Sequence, residues 1–92
     1  MGRYLISKNE VSIWKALKEN GGWISTAKLH ELTGVSLIVV RKKTTQMASL
    51  GLLESVRSHP SISFRVKPDL PADHPRVVEI ERVAEALRAT SV

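Results

Sequence analysis

The chain has 92 residues, with 14 Lys and Arg against 9 Asp and Glu, a formal charge of +5 and no cysteine. That length fits one small domain, burying about 60–65 % of its unfolded surface, which argues against an enzyme with its own substrate domain. Without cysteine, disulfide scaffolds, thiolate-bound zinc and thiol catalysis are excluded.

Ser7-Lys8-Asn9-Glu10 opens the first helix with capping-box spacing: Ser7 is expected to accept from the Glu10 amide, and Glu10 to reach back. Ile6 and Val11 stand at the hydrophobic-staple positions. Ile13, Trp14, Ala16 and Leu17 share one apolar face, and Gly21-Gly22 ends the helix. Trp23-Ile24 is a short extended step. Ser25 or Thr26 caps a short second helix through Thr33, with Ala27, Leu29 and Leu32 turned inward and Gly34 at its stop. Ser36 caps a third helix reaching about Leu50. Two short helices joined by Gly-Val-Ser form a helix-turn-helix.

After Gly51 the period changes from 3.6 to 2. Leu52 to Arg57 predicts a strand, Ser58-His59-Pro60-Ser61 a turn, and Ile62 to Lys67 a returning strand. In that second strand Ile62, Phe64 and Val66 alternate with Ser63, Arg65 and Lys67, which predicts one core face and one basic face. Three prolines within residues 68–75 preclude regular helix and divide the chain into a 1–67 domain, a 68–75 connector and a 76–92 helix opened by Pro75. That last helix gathers Val77, Ile80, Val83, Ala84 and Leu87 into one stripe.

Charge follows the same division. Residues 1–67 hold 11 basic and 4 acidic side chains, and residues 68–92 hold 3 and 5. Within 36–67, Arg41, Lys42, Lys43, Arg57, Arg65 and Lys67 face Glu54 alone, which points to a polyanion partner.

The order helix, extended step, helix, turn, helix, β-hairpin resembles the winged helix-turn-helix family of small transcriptional regulators. The likeness is best over Ser25 to Leu53, where Ala27, Leu29, Leu32, Gly34-Val35-Ser36, Val40, Met47 and Gly51-Leu52-Leu53 stand at the family's core and turn positions. It implies an α+β winged helix-turn-helix, a three-helix core plus a β-hairpin wing, with an additional C-terminal helix. It also implies binding of double-stranded DNA, with residues 36–50 in the major groove and 52–67 on the backbone.

The third helix has chemistry suited to that role. With Val40 at the centre of its core face, beside Met47 and Thr44, the opposite strip carries Ile38, Arg41, Lys42, Thr45 and Ser49. Thr44, where a large apolar residue is usual, predicts a slightly loose core. Arg binds guanine bidentately, Ile meets a thymine methyl, and Thr, Ser and Lys meet phosphate or base. Ser36 offers helix-terminal amides to a phosphate, with Lys43 at the flank. Arg57, His59, Arg65 and Lys67 supply a second basic element on the wing. The stripe Val77, Ile80, Val83, Ala84 and Leu87 is the expected homodimer surface, pairing two helices into successive major grooves. The alternative is a winged-helix protein-interaction module using Ile38, Val39 and the last helix, since apolar residues stand where the family has small polar ones.

Other classes find no support in the residues. His30, His59 and His74 lack metal-site spacing, so no metal or other cofactor is expected, and His30 reads as an exposed residue of the second helix. Glu10/Glu31 and Glu79/Glu81 offer no acid–base site. Trp14 and Trp23 fit the core. The longest apolar run, Leu37 to Val40, is too short to span a bilayer, and the N-terminus has no secretory pattern. The expected location is cytoplasmic, on the nucleoid when DNA-bound.

Overall fold

The computed structural model describes residues 6–58 and 61–90. Its elements are α1 (Lys8–Asn20), β1 (Ile24–Ser25), α2 (Thr26–Thr33), α3 (Leu37–Ser49), β2 (Leu53–Ser58), β3 (Ser61–Val66) and α4 (Pro75–Thr90). The three strands form one antiparallel sheet in the order β1-β3-β2. The fold is therefore α+β: four helices and a three-stranded sheet. The hairpin strands run one residue further toward each other than the periodicity predicts, ending in the pair Ser58 and Ser61. Among the described residues, no helix is long and apolar enough to cross a membrane.

Local chemistry explains the helix boundaries. The amide of Glu10 donates to Ser7 Oγ at 3.2 Å, and that of Lys28 to Ser25 Oγ at 3.1 Å. The turn between α2 and α3 is held from several sides. Gly34 takes φ of 74°, a left-handed conformation that glycine adopts without steric cost, and its amide donates to His30 O at 2.9 Å. Thr33 Oγ1 donates to Leu29 O at 2.7 Å and accepts from the amide of Val35 at 3.2 Å. His30 Nδ1 meets Val35 O at 2.6 Å, and because a carbonyl only accepts, the proton sits on Nδ1. His30 is exposed as expected, but its ring closes the turn.

α3 leaves through a Schellman arrangement. The amide of Leu52 donates to Met47 O at 3.0 Å and that of Gly51, at φ 88°, to Ala48 O at 3.1 Å. Met47 and Leu52 are both fully buried. Three residues, Leu50 to Leu52, thus separate α3 from the wing.

The core comprises Val11, Ile13, Trp14, Leu17, Ile24, Leu29, Val35, Val40, Met47, Leu52, Leu53, Phe64, Val77 and Ile80. Several expectations need correction. Trp23 is 45 % exposed, because strand alternation turns Ile24 inward and its predecessor outward. Ala27 and Leu32 also face solvent, Leu32 at 56 %. Thr44 is fully buried without an unmet polar group: its hydroxyl lies 2.8 Å from Val40 O and 3.2 Å from Arg41 O. Val39, assigned with Ile38 to the alternative protein-interaction surface, packs half-buried against the core.

The largest correction concerns α4. Val77 and Ile80 are 6 % and 0 % exposed within their own domain, so neither is available to a second copy. The helix starts on Pro75, with His74 as its cap: His74 Nδ1 accepts from the amide of Arg76 at 3.1 Å. Arg76 then reaches Glu10 of α1, donating Nε to Oε2 at 3.0 Å and Nη2 to Oε1 at 2.8 Å. Glu10, expected to close a capping box, is spent on this pair instead. One turn later Trp14 Nε1 donates to Glu81 Oε2 at 3.1 Å, giving the buried indole its partner. The connector is not featureless either: amides of Leu70 and His74 donate to Lys67 O and Pro71 O, making two turns.

The Glu10 and Arg76 side chains are 1 % and 10 % exposed. Breaking one side of a buried pair is costly because it leaves a charge uncompensated, whereas replacing both by apolar groups is often neutral. Glu10→Gln is therefore expected to destabilise the domain by about 3 kcal/mol, and Glu10→Leu with Arg76→Met by far less. Urea unfolding midpoints of the two variants check this; similar losses in both would show that shape rather than charge is at stake.

Candidate nucleic-acid interface

α3 buries Val40, Thr44 and Met47, so the opposite face is exposed by geometry alone. Ser36, Ile38, Arg41, Lys42, Thr45 and Ser49 are all exposed, and Lys43 is half-buried at the flank. Ile38 is 78 % exposed, the highest value among the large apolar side chains of the described residues. The helix carries three cations and no carboxylate. Ser36 Oγ accepts from the amide of Val39 at 3.4 Å, a long cap that occupies only one of the free amides of the first turn. The expected strip is thus brought together on one convex helix face. Gln46, half-buried beside Lys42 and Lys43, also borders it, and went unnoticed in the sequence because it falls outside the strip facing away from Val40.

The wing is different. Pairing sets Glu54 opposite Arg65, Ser55 opposite Phe64 and Arg57 opposite Ile62. Since side chains alternate along a strand, Arg57 lies on the face of Ile62 and Phe64, and Arg65 and Lys67 lie on the other. The wing cations expected to act together are therefore divided between two faces. Arg57 is exposed and Lys67 half-buried. Arg65 donates Nε to Glu54 Oε1 at 2.7 Å, and its guanidinium carbon stands 4.7 Å from the centroid of the Trp23 ring. Glu54 and Trp23 were not among the candidate residues, although the hairpin register alone sets Glu54 against Arg65. His59 lies outside the described residues. Among the described residues, no cluster of three His, Asp or Glu side chains is placed to hold a metal ion.

No protein-family model matches the chain, and no curated protein matches it in sequence. Solved structures do. BpsR of Bordetella bronchiseptica, whose DNA binding is regulated by 6-hydroxynicotinic acid, superposes with a TM-score of 0.71 at 17 % identity, over 98 % of this chain and 63 % of its own. The antimony-specific transcriptional repressor AntR gives a TM-score of 0.61 at 18 % identity, over 96 % and 92 %. A mutant MarR of E. coli gives 0.66 at 13 %, over 90 % and 61 %. The chain spans less than two thirds of BpsR and MarR and nearly the whole of AntR. Identities this low carry the fold alone: the chain shares a winged helix-turn-helix fold with these structures.

Proposed function

We propose that the protein is a double-stranded DNA-binding transcriptional regulator that places α3 in the major groove. The observation that carries this reading is the exposed, acid-free face of α3, with Arg41, Lys42, Thr45 and Ser49 around Ile38. An α-helix fits the major groove, and Arg on its outer face can read guanine through two hydrogen bonds. Ile38 supplies the apolar contact that a thymine methyl accepts. Ser36 and Lys43 stand where phosphates flank the helix. The winged-helix fold that the chain shares with transcriptional regulators supports the same reading. On the wing, Arg57 is the cation on the helix-bearing face, so it meets the backbone there, with Lys67 a contributor from the outer face.

Base contacts and phosphate contacts leave different signatures. Arg41→Ala is expected to weaken binding by about 1–3 kcal/mol and to relax preference at one base pair. Arg57→Ala is expected to weaken all sequences alike and to make the plot of log affinity against log salt shallower by about one unit. Selection from a random duplex pool, followed by salt titration, checks both. An Arg41 variant with the parent's preferred sequence would remove that side chain from base readout. A protein that shows no salt-dependent duplex affinity would defeat the DNA-binding reading and favour the protein-interaction module, with Ile38 as its anchor.

The active species is proposed to be a homodimer. A single module buries only about 600–1,000 Å² on DNA, and two-fold pairing doubles the site read. With Val77 and Ile80 committed to the core, the part of the stripe that keeps some exposure is Val83, Ala84 and Leu87, which pack half-buried at the edge of the core. Past Ile80 the helix leaves an open groove against α1, lined by Val11, Ala84 and Leu87 with Lys8, Lys15 and Arg88 around them. Leu87→Glu is expected to convert a dimer to a folded monomer in sedimentation equilibrium. A wild-type chain that sediments as a monomer at tens of micromolar would overturn the dimer.

A further inference from the structure

Strand register builds a row of three side chains across the outer face of the sheet. Ile24 pairs with Phe64 on the core side, so Trp23, one residue earlier, falls on the side of Arg65, which stands opposite Glu54. The row is closed by contact: Arg65 Nε to Glu54 Oε1 at 2.7 Å, and Arg65 Cζ to the Trp23 ring at 4.7 Å. The Glu54 and Arg65 side chains are each 36 % exposed. A guanidinium held this way has one face against an indole and one edge against a carboxylate. Its charge is neutralised by a neighbour at hydrogen-bond distance. Glu54 is also the one acid between residues 32 and 68, in the most basic part of the chain.

We propose that Glu54 is a positioning residue that holds Arg65 against Trp23 and withholds its charge from DNA. The proposal rests on the DNA-binding reading above. Its effect is on discrimination. Phosphate contacts strengthen binding to every sequence, whereas base contacts from α3 strengthen binding to one. Removing one cation from the backbone lowers affinity for random DNA and leaves the α3 contacts a larger share of the total. The wing then grips through Arg57 and Lys67, and the Trp23–Arg65–Glu54 row serves the sheet.

A double-mutant cycle on the full chain tests this, with E54Q, R65A and the double variant titrated against random-sequence duplex from about 50 to about 300 mM salt. E54Q is expected to tighten binding about fivefold at low salt and to steepen the salt slope by about 0.9, one phosphate contact. R65A alone is expected to leave the slope at the wild-type value, and E54Q made in the R65A background to change nothing. An equal gain from E54Q in both backgrounds would mean that Glu54 simply repels phosphate, and would overturn the proposal. So would R65A shallowing the slope by about one unit, which would place Arg65 on the backbone already. Thermal unfolding verifies that each variant is folded, and E54T, suited to a strand, repeats the cycle should E54Q perturb the sheet. A wild-type chain without salt-dependent duplex binding overturns the parent reading together with this one. Wild-type binding with an unresponsive E54Q overturns this one alone.

Discussion

The bidentate pair between Glu10 and Arg76 decides what this domain is. It joins the first turn of α1 to the first turn of α4, 66 residues apart in the chain, with both groups withdrawn from water. A cation in the first turn of a helix faces the positive end of the helix dipole, and a carboxylate in a first turn is favoured by it. Arg76 is therefore poorly placed in its own helix and Glu10 well placed in its own; the pair offsets the one with the other. Once α4 is seated, Val77 and Ile80 close the core and Trp14 finds Glu81. What would be a tail becomes the fourth helix of the domain, buried at Val77 and Ile80 and half-buried at Val83, Ala84 and Leu87.

The interactions that were legible in the sequence are those whose partners lie a few residues apart. The caps at Ser7, Ser25 and Ser36, the glycine stops and the outer face of α3 all follow from local spacing, and the structure has them. Glu10 shows the limit of such reading. Ser-x-x-Glu is a local pattern, and only tertiary contact could show that the carboxylate faces a guanidinium from the far end of the chain. The apolar stripe of α4 is ambiguous for a related reason. A stripe states that a face must be covered, not whether its own domain or a second copy covers it. For Trp23 the information was present: period two, with Ile24 inward, turns the indole outward. Glu54 against Arg65 was likewise implied by the hairpin's own register. Charge counting treats the wing as one basic element, while the pleat separates Arg57 from Arg65 and Lys67.

Thr44 shows how a sequence anomaly can be harmless. A hydroxyl in the middle of a core is expensive only when it lacks a partner. Here the helix supplies one, since Val40 O and Arg41 O lie within reach of Thr44 Oγ1. The core stays closed at the position where the sequence suggests looseness, and the face of α3 behind it keeps its bearing.

The short β1 strand has a consequence for the placement of the wing. Through Ile24 and Ser25 it ties β3 to the start of α2, while the tight exit at Gly51 ties β2 to the end of α3. The hairpin is thus anchored at its base to both helices of the helix-turn-helix, which sets the spacing between α3 and the wing. On the proposed DNA-binding reading, a wing tied down in this way leaves little adjustment to groove width on the protein side. Whatever mismatch exists has to be absorbed by bending or narrowing of the DNA, whose stiffness varies with base sequence. Base pairs that neither the helix nor the wing touches would then still be selected, by the ease with which they deform.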